Sequence, residues 1–352
     1  MNKIRFGIIG GGMIGPFHAE AISQLDDAEL IGVATTREET AKPFAEKFGA
    51  KVWYTDYRKL LQRDDIDAVN ICTPPFLHEE MTIAAAKEGK HVLVEKPIAI
   101  NLKEADRMIE ACRKAGVKLG VIFQSRFNKD INRIKEATDR GDFGKLIMGD
   151  AYVKWFRTQE YYDSASWRGT WDKEGGGALI NQAIHTIDLL QWFMGEVESL
   201  YAFIDTKIHK IEVEDVAVAA LRFKNGAIGV IEGSTAIYPG LPRRLEIHGE
   251  KGTVILEGDK IKLWSFVDQK DKKKEIEEIR EYKGKKSGDT SSNPTNFSIE
   301  NHKLQIKDFV EAIKEDREPF INGEEGRKSL EIVRAIYFSG KTEKAVKFPV
   351  IE

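Results

Sequence analysis

A chain of 352 residues exceeds one typical hydrophobic core and is expected to form two domains. With 41% hydrophobic and 32% charged residues it has the apolar area to fold, and its 54 basic and 57 acidic residues are mixed along the chain, so no basic field is present to hold a nucleic acid. Its two cysteines, Cys72 in an apolar run and Cys112 in a helical pattern, form no CxxC or Cys/His cluster, which argues against a structural metal or a disulfide scaffold; without an apolar run of the ~20 residues a membrane span needs, or the form of a secretory signal, a cytoplasmic enzyme is the expectation.

From residue 4 to about 122 short apolar runs at 4–9, 30–34, 68–72, 91–94 and 118–122 alternate with helical periodicity at 39–48, 79–87 and 102–115. Near-continuous apolar strands between helices predict a parallel sheet covered on both faces. The first run leads straight into Gly10-Gly11-Gly12-Met13-Ile14-Gly15, a G-x-G-x-x-G at a strand-to-helix turn. Gly10 permits the tight turn, Gly12 lets a pyrophosphate approach the backbone, and Gly15 lets helix and strand pack closely. The anion then rests on the free N–H groups of the helix start. A dinucleotide-binding doubly wound domain of the Rossmann type is therefore expected over residues 1–122. Twenty residues after Gly15, where a site for NAD usually offers an acidic residue, stands Thr35-Thr36-Arg37. Hydroxyls and a guanidinium suit a 2′-phosphate, so Thr35 and Arg37 leave NADP at least as well supported as NAD.

The remainder, residues 123–352, is expected as a second domain. It opens with a helix at 130–140, a strand at 148–156, a Trp- and Gly-rich loop at 167–177 and a helix at 178–194. On that helix Asn181, His185, Asp188 and Trp192 share one face by their spacing, and a polar stripe on an otherwise apolar helix faces water or a site. Strand-like runs follow at 199–207, 216–224, 227–234, 244–248, 253–256 and 260–266, broken at Lys224-Asn225-Gly226, Pro239-Gly240, Glu250-Lys251-Gly252 and Glu257-Gly258-Asp259. Such breaks suit hairpins and predict an antiparallel sheet. Residues 283–296 read as a mobile loop, and 299–314 and 324–339 as helices closing the fold. The fold class is thus α/β: a parallel doubly wound sheet followed by an α+β domain with a large, mostly antiparallel sheet.

The ordered set formed by the glycine turn, Thr73-Pro74-Pro75, Glu95-Lys96-Pro97 and the helix bearing His185 resembles the glucose-fructose oxidoreductase / inositol dehydrogenase / MocA family (GFO/IDH/MocA) over essentially the whole length. The resemblance implies an NAD(P)-dependent oxidoreductase that moves a hydride between the nicotinamide and a hydroxyl or keto carbon of a sugar, cyclitol or sugar nucleotide. It implies that Lys96 stabilises alkoxide character, that His185 is the general acid/base, and that both converge on one substrate oxygen. Many members have Asp where this chain has Asn181, an amide that can orient a partner but adds no charge to His185. Met13, Ile14, Thr73, Pro74, His78 and Glu95 join the glycines and Lys96 as cofactor residues, and Pro97 is a candidate for a cis bond. The run from Tyr161 through Trp171, with Asn181-Gln182, is similar to members that oxidise nucleotide-linked amino-sugar uronates. Arg157 and Arg168 suit a carboxylate or phosphate, and Tyr162 and Trp167 suit a sugar face. Relatives also supply the rival readings, an NAD-dependent glycosidase without net redox change and a non-catalytic regulator, and they associate as dimers or tetramers through the second sheet.

Overall fold

The apolar runs of the first 124 residues form β1 (Ile4–Ile9), β2 (Ala28–Ala34), β3 (Val52–Tyr54), β4 (Ala68–Ile71), β5 (His91–Val94) and β6 (Leu119–Val121). They pair in parallel in the order β3-β2-β1-β4-β5-β6. The helices between them are α1 (Gly15–Ser23), α2 (Glu38–Phe48), α3 (Tyr57–Leu61), α4 (His78–Lys87) and α5 (Leu102–Ala115). Helix α5 shows why local sequence sets these limits. Asn101 accepts the Glu104 N–H at 2.9 Å while its amide donates to the Glu104 carboxylate at 2.8 Å, and Gly116 ends the helix at φ 68°. The strand order reverses between β1 and β4, so the loops leaving these two strands lie side by side, the place where doubly wound sheets take their ligands. The structure, a computed structural model, describes residues 3–267 and 299–351; the loop expected at 283–296 lies outside the described residues.

A second compact unit is built from described residues of 125–171, 176–267 and 331–351. It contains α6 (Lys129–Asp139), β7 (Leu146–Lys154), α7 (Gln159–Asp163) and a π-wound turn (Ala178–Ala183) that continues into α8 (Ile184–Met194). The strands β8 (Val197–Asp205), β9 (Val216–Phe223), β10 (Ile228–Ser234), β11 (Arg244–Gly249), β12 (Gly252–Glu257) and β13 (Lys260–Phe266) come next. Gly226 at φ 87° and Gly258 at φ 62° turn the β9–β10 and β12–β13 hairpins. Pro239-Gly240 is not a hairpin, contrary to expectation, because β7 lies between β10 and β11, parallel to the first and antiparallel to the second. The sheet order is β13-β12-β11-β7-β10-β9-β8-β14. On one face the π-wound turn and α8 pack closely: a Cβ on Gly149 or Gly233 would lie 2.6 or 2.5 Å from Met194 or Leu179.

The closing helices are α9 (Glu300–Lys314) and α10 (Gly323–Thr342), before β14 (Val346–Lys347). Residues 299–330 fold with the first unit, as do 172–175, whereas a single cut after residue 122 assigned them to the second. The reason is local: the Gln305 carboxamide of α9 accepts the Phe123 N–H at 3.1 Å and donates to the Val121 carbonyl at 2.8 Å. Among the described residues no helix is long and apolar enough to cross a membrane.

Candidate functional site

In the first unit the glycine turn takes the geometry its residues demand. Gly10 has φ 107°, and a Cβ there would lie 2.5 Å from the Cys72 carbonyl; a Cβ on Gly15 would lie 2.4 Å from the Gly10 carbonyl. Around Gly12 there is open space, and Met13 beside it is 44% exposed. No side chain caps α1 at Ile14; Pro16 carries no N–H and the Phe17 and His18 N–H groups donate to the Ile14 carbonyl at 3.0 and 3.3 Å, so an anion would rest on the backbone of the glycine turn itself. The residues present therefore fit a dinucleotide pyrophosphate. Thr73 and Pro74 leave the end of β4 directly against this turn, since the same Cβ on Gly10 would also meet Thr73 N at 3.1 Å. Thr35 lies at the end of β2, with its hydroxyl donating to the Arg37 carbonyl and 2.7 Å from the Thr40 hydroxyl; the Arg37 side chain is exposed.

Lys96 follows β5, half-buried, and its peptide bond to Pro97 is cis as expected. Two neighbours assigned to the cofactor turn inward instead. Glu95 is buried, its carboxylate 2.8 Å from His18 Nε2 and accepting the Lys96 N–H at 3.2 Å. Burial opposes charge on both partners, yet Cys72 and Glu95 move His18 upward, and His18 holds Glu95 below the usual carboxylate range. His302 completes this buried cluster, and one ligand-type atom from each of the three residues falls within 4.8 Å of the others. The direct contact of His18 with Glu95 is a hydrogen bond; two ligands on one zinc ion would stand about 3.3 Å apart. His78 is also buried, with its ring nitrogens each 2.9 Å from the carbonyls of Pro97 and Thr73. Burial pushes this imidazole down while its hydrogen bonds to the two carbonyls oppose the shift, and the ring braces the two loops rather than reaching out to a ligand.

In the second unit the predicted polar stripe divides. Asn181 lies in the π-wound turn and His185 near the start of α8, both half-buried. The wider π winding takes Asn181 off the line that α-helical spacing assigned to it. Asp188 is fully buried, and both its oxygens accept from Arg126, at 2.8 and 2.7 Å. Trp192 lies beneath the same guanidinium at 4.9 Å. Asp188 serves the core, and Trp192, half-buried, covers the pair.

Tyr162, expected on the substrate, is 5% exposed, with its hydroxyl 2.7 Å from that of Thr235 and its ring against His209. Its neighbour Tyr161 takes the central place. Arg168 donates to the Tyr161 hydroxyl at 2.5 Å and lies over the rings of Tyr161 and Trp167 at 4.2 and 4.5 Å. Arg157 lies 5.6 Å from the Tyr161 ring and donates to Gln182 Oε1 at 2.8 Å, and the Gln182 amide donates to the Tyr161 hydroxyl at 2.8 Å. Burial, and further the Arg168 charge, lower Arg157 from its ordinary value. Two cations thus surround one phenol. Tyr161 and Gln182 were missing from the predicted site; nothing in the adjacent pair Tyr161-Tyr162 says which ring turns to the core.

Residues 4–123 match the family model described as an oxidoreductase family with an NAD-binding Rossmann fold, and residues 131–255 match the GFO/IDH/MocA C-terminal domain. The myo-inositol 2-dehydrogenase of Thermotoga maritima is 32% identical over 98% of both chains. The crystal structure of the WlbA dehydrogenase from Bordetella pertussis, in complex with NADH and UDP-GlcNAcA, is 35% identical, with a TM-score of 0.88, covering 99% of this chain and 100% of that one.

Proposed function

The chain belongs to the GFO/IDH/MocA family of oxidoreductases with an NAD-binding Rossmann fold, and from that premise we propose that it oxidises a secondary alcohol of a sugar bearing an acid group, first of all a nucleotide-linked uronate. The observation that carries the substrate class is the Arg168 guanidinium over Tyr161 and Trp167, backed by Arg157, which is buried with its terminal nitrogens on the Phe156 carbonyl and Gln182; an anion bound beside Arg168 would offset the cost of two like charges. The complex of the similar WlbA dehydrogenase with UDP-GlcNAcA supports it. When bound, the nicotinamide supplies the hydride acceptor. Lys96 stabilises the alkoxide that develops as hydride leaves, and His185 takes the hydroxyl proton, a task suited to imidazole near neutral pH. Asn181 orients the reacting group by hydrogen bonding, and Trp167 offers a ring to the sugar. Gly10, Gly12, Met13, Ile14 and Gly15, with Thr73 and Pro74, hold the dinucleotide; Glu95 and His78 act behind them by fixing the backbone around Lys96. NAD is favoured over NADP by the NADH in the similar structure and by the engagement of Thr35 within its own turn.

Nicotinamide absorbance with UDP-GlcNAcA, UDP-GlcNAc and myo-inositol as substrates tests the proposal. Turnover is expected on the uronate, and Arg168→Gln should raise its KM about tenfold or more, because a charge-assisted bond is lost. A preference for myo-inositol, the substrate in the name of the Thermotoga relative, would refute the acid-group reading. We further infer a cytoplasmic location, in keeping with two free buried thiols, and self-association through the open face of the second sheet.

A further inference from the structure

The entrance to the helix that carries His185 is held by two segments remote in sequence. Gly177 N donates to Glu214 Oε2 at 2.9 Å, Ala178 N to the Glu214 carbonyl at 3.1 Å, Leu179 N to Glu214 Oε1 at 2.8 Å and Ile180 N to the Tyr337 hydroxyl at 3.3 Å. Tyr337 in turn donates to Glu214 Oε1 at 2.9 Å. A helix start leaves four N–H groups without partners in its own backbone. Here one buried glutamate and one buried tyrosine take four consecutive ones. The approach is so close that only glycine fits: a Cβ on Gly177 would lie 2.1 Å from the Glu214 carbonyl, and one on Gly176 2.2 Å from the Tyr337 hydroxyl. Directly after this anchor the chain enters the π-wound stretch Ala178–Ala183, a winding that costs energy and is retained where function sets the register.

We propose that Glu214 and Tyr337 are positioning residues for the reaction: by gripping residues 177–180 they hold the π-wound turn in register and so fix the direction of Asn181 and His185. The inference rests on the reading that these two side chains act on substrate.

Around Glu214, α10 contributes the Tyr337 hydroxyl and the Lys341 ammonium, with Arg334 behind the latter. On its own segment Asp215 turns away, to the N–H groups of residues 207–209 and the His209 ring, and Glu212 bonds the Trp171 N–H. Burial pushes the Glu214 carboxyl up to about 7 against the lowering effect of its N–H and O–H donors. If the grip opens, the carboxyl meets water and regains its ordinary, lower value. Opening is therefore hardest at acid pH and becomes easier as pH rises through about 7.

The test compares Glu214→Ala, Glu214→Gln, Tyr337→Phe and His185→Ala in the full chain, by kcat, KM, NADH binding and melting temperature. Glu214→Ala should lower kcat about tenfold to a hundredfold, the size expected of a misplacement of about 1 Å. Glu214→Gln, which keeps one acceptor oxygen, should recover part of that loss, and NADH affinity should change less than about twofold. Hydrogen exchange of residues 177–182 in the unaltered protein, corrected for intrinsic rates, should lose protection as pH is raised from 5 to 8. Amides of residues 177–180 that exchange without protection at every pH, or wild-type kcat in folded Glu214→Ala and Tyr337→Phe beside an inactive His185→Ala, would overturn the positioning role alone. Wild-type turnover in His185→Ala would overturn the proton-transfer reading, and this inference with it. Should Glu214→Ala fail to fold, Tyr337→Phe and the exchange measurement decide.

Discussion

Lys96→Met keeps the apolar stem of the side chain and removes only its charge, so the loss it causes measures electrostatic stabilisation of the transition state. Turnover should fall by about a hundredfold or more, and His185→Ala should cost about a hundredfold to ten-thousandfold through loss of the general base. NADH affinity, followed by fluorescence titration, should stay within about threefold in His185→Ala, which removes no group assigned to the cofactor; retained turnover in both variants would refute the assignment. The family was legible in the sequence, because a Lys between Glu95 and Pro97 after a buried strand is a recognisable pattern. Which way each side chain faces was not. Glu95 and Lys96 are neighbours on one extended segment, yet the carboxylate meets His18, whose position no local spacing reveals. Tyr161 and Tyr162 differ in the same manner, one among arginines and the other against Thr235 and His209.

Helix limits were readable where start and stop signals are local, as for α5 between Asn101 and Gly116. The segment 178–194 shows the opposite case. Its apolar spacing predicts one α-helix, but its first turn is wound by partners at 214 and 337, contacts with no trace in the segment's own residues. Asp188 was expected on the polar stripe for the same reason: spacing gives a face, and only the tertiary partner Arg126 shows that this part of the face is interior. That pair joins the turn at Gln124–Phe127 to α8, with both side chains 1% exposed. Asp188→Ala would leave a guanidinium buried without its carboxylate, and urea unfolding should register a loss of about 3–5 kcal/mol. A loss below about 1 kcal/mol would mean that the guanidinium finds water or another partner.

At the level of the whole chain, alternation along the strands made the second sheet legible, but not its order. Nothing in the β-rich runs signals that β7, which precedes the helix, enters between β10 and β11, because strand neighbours are chosen by packing partners far apart in sequence. The same alternation carries the last prediction. With α8 and the π-wound turn on one face, the opposite face of β8 presents Tyr201 and Phe203, the latter 67% exposed, and the register Phe203 to Val218 continues the apolar surface into β9. Ile228 of β10 pairs with Met148 of β7, and both are exposed. Apolar side chains grouped on one sheet face, rather than scattered, mark an interaction surface, and a self-complementary patch is the commonest route to a symmetric dimer. A charge placed at Phe203 is repeated in both copies by symmetry. Phe203→Glu should therefore reduce the mass measured by light scattering after gel filtration to that of one chain, while nicotinamide turnover per chain survives unless a second copy is needed for it. An unaltered protein that runs as a single chain, or a variant that keeps the larger mass, would exclude this face as the contact between copies.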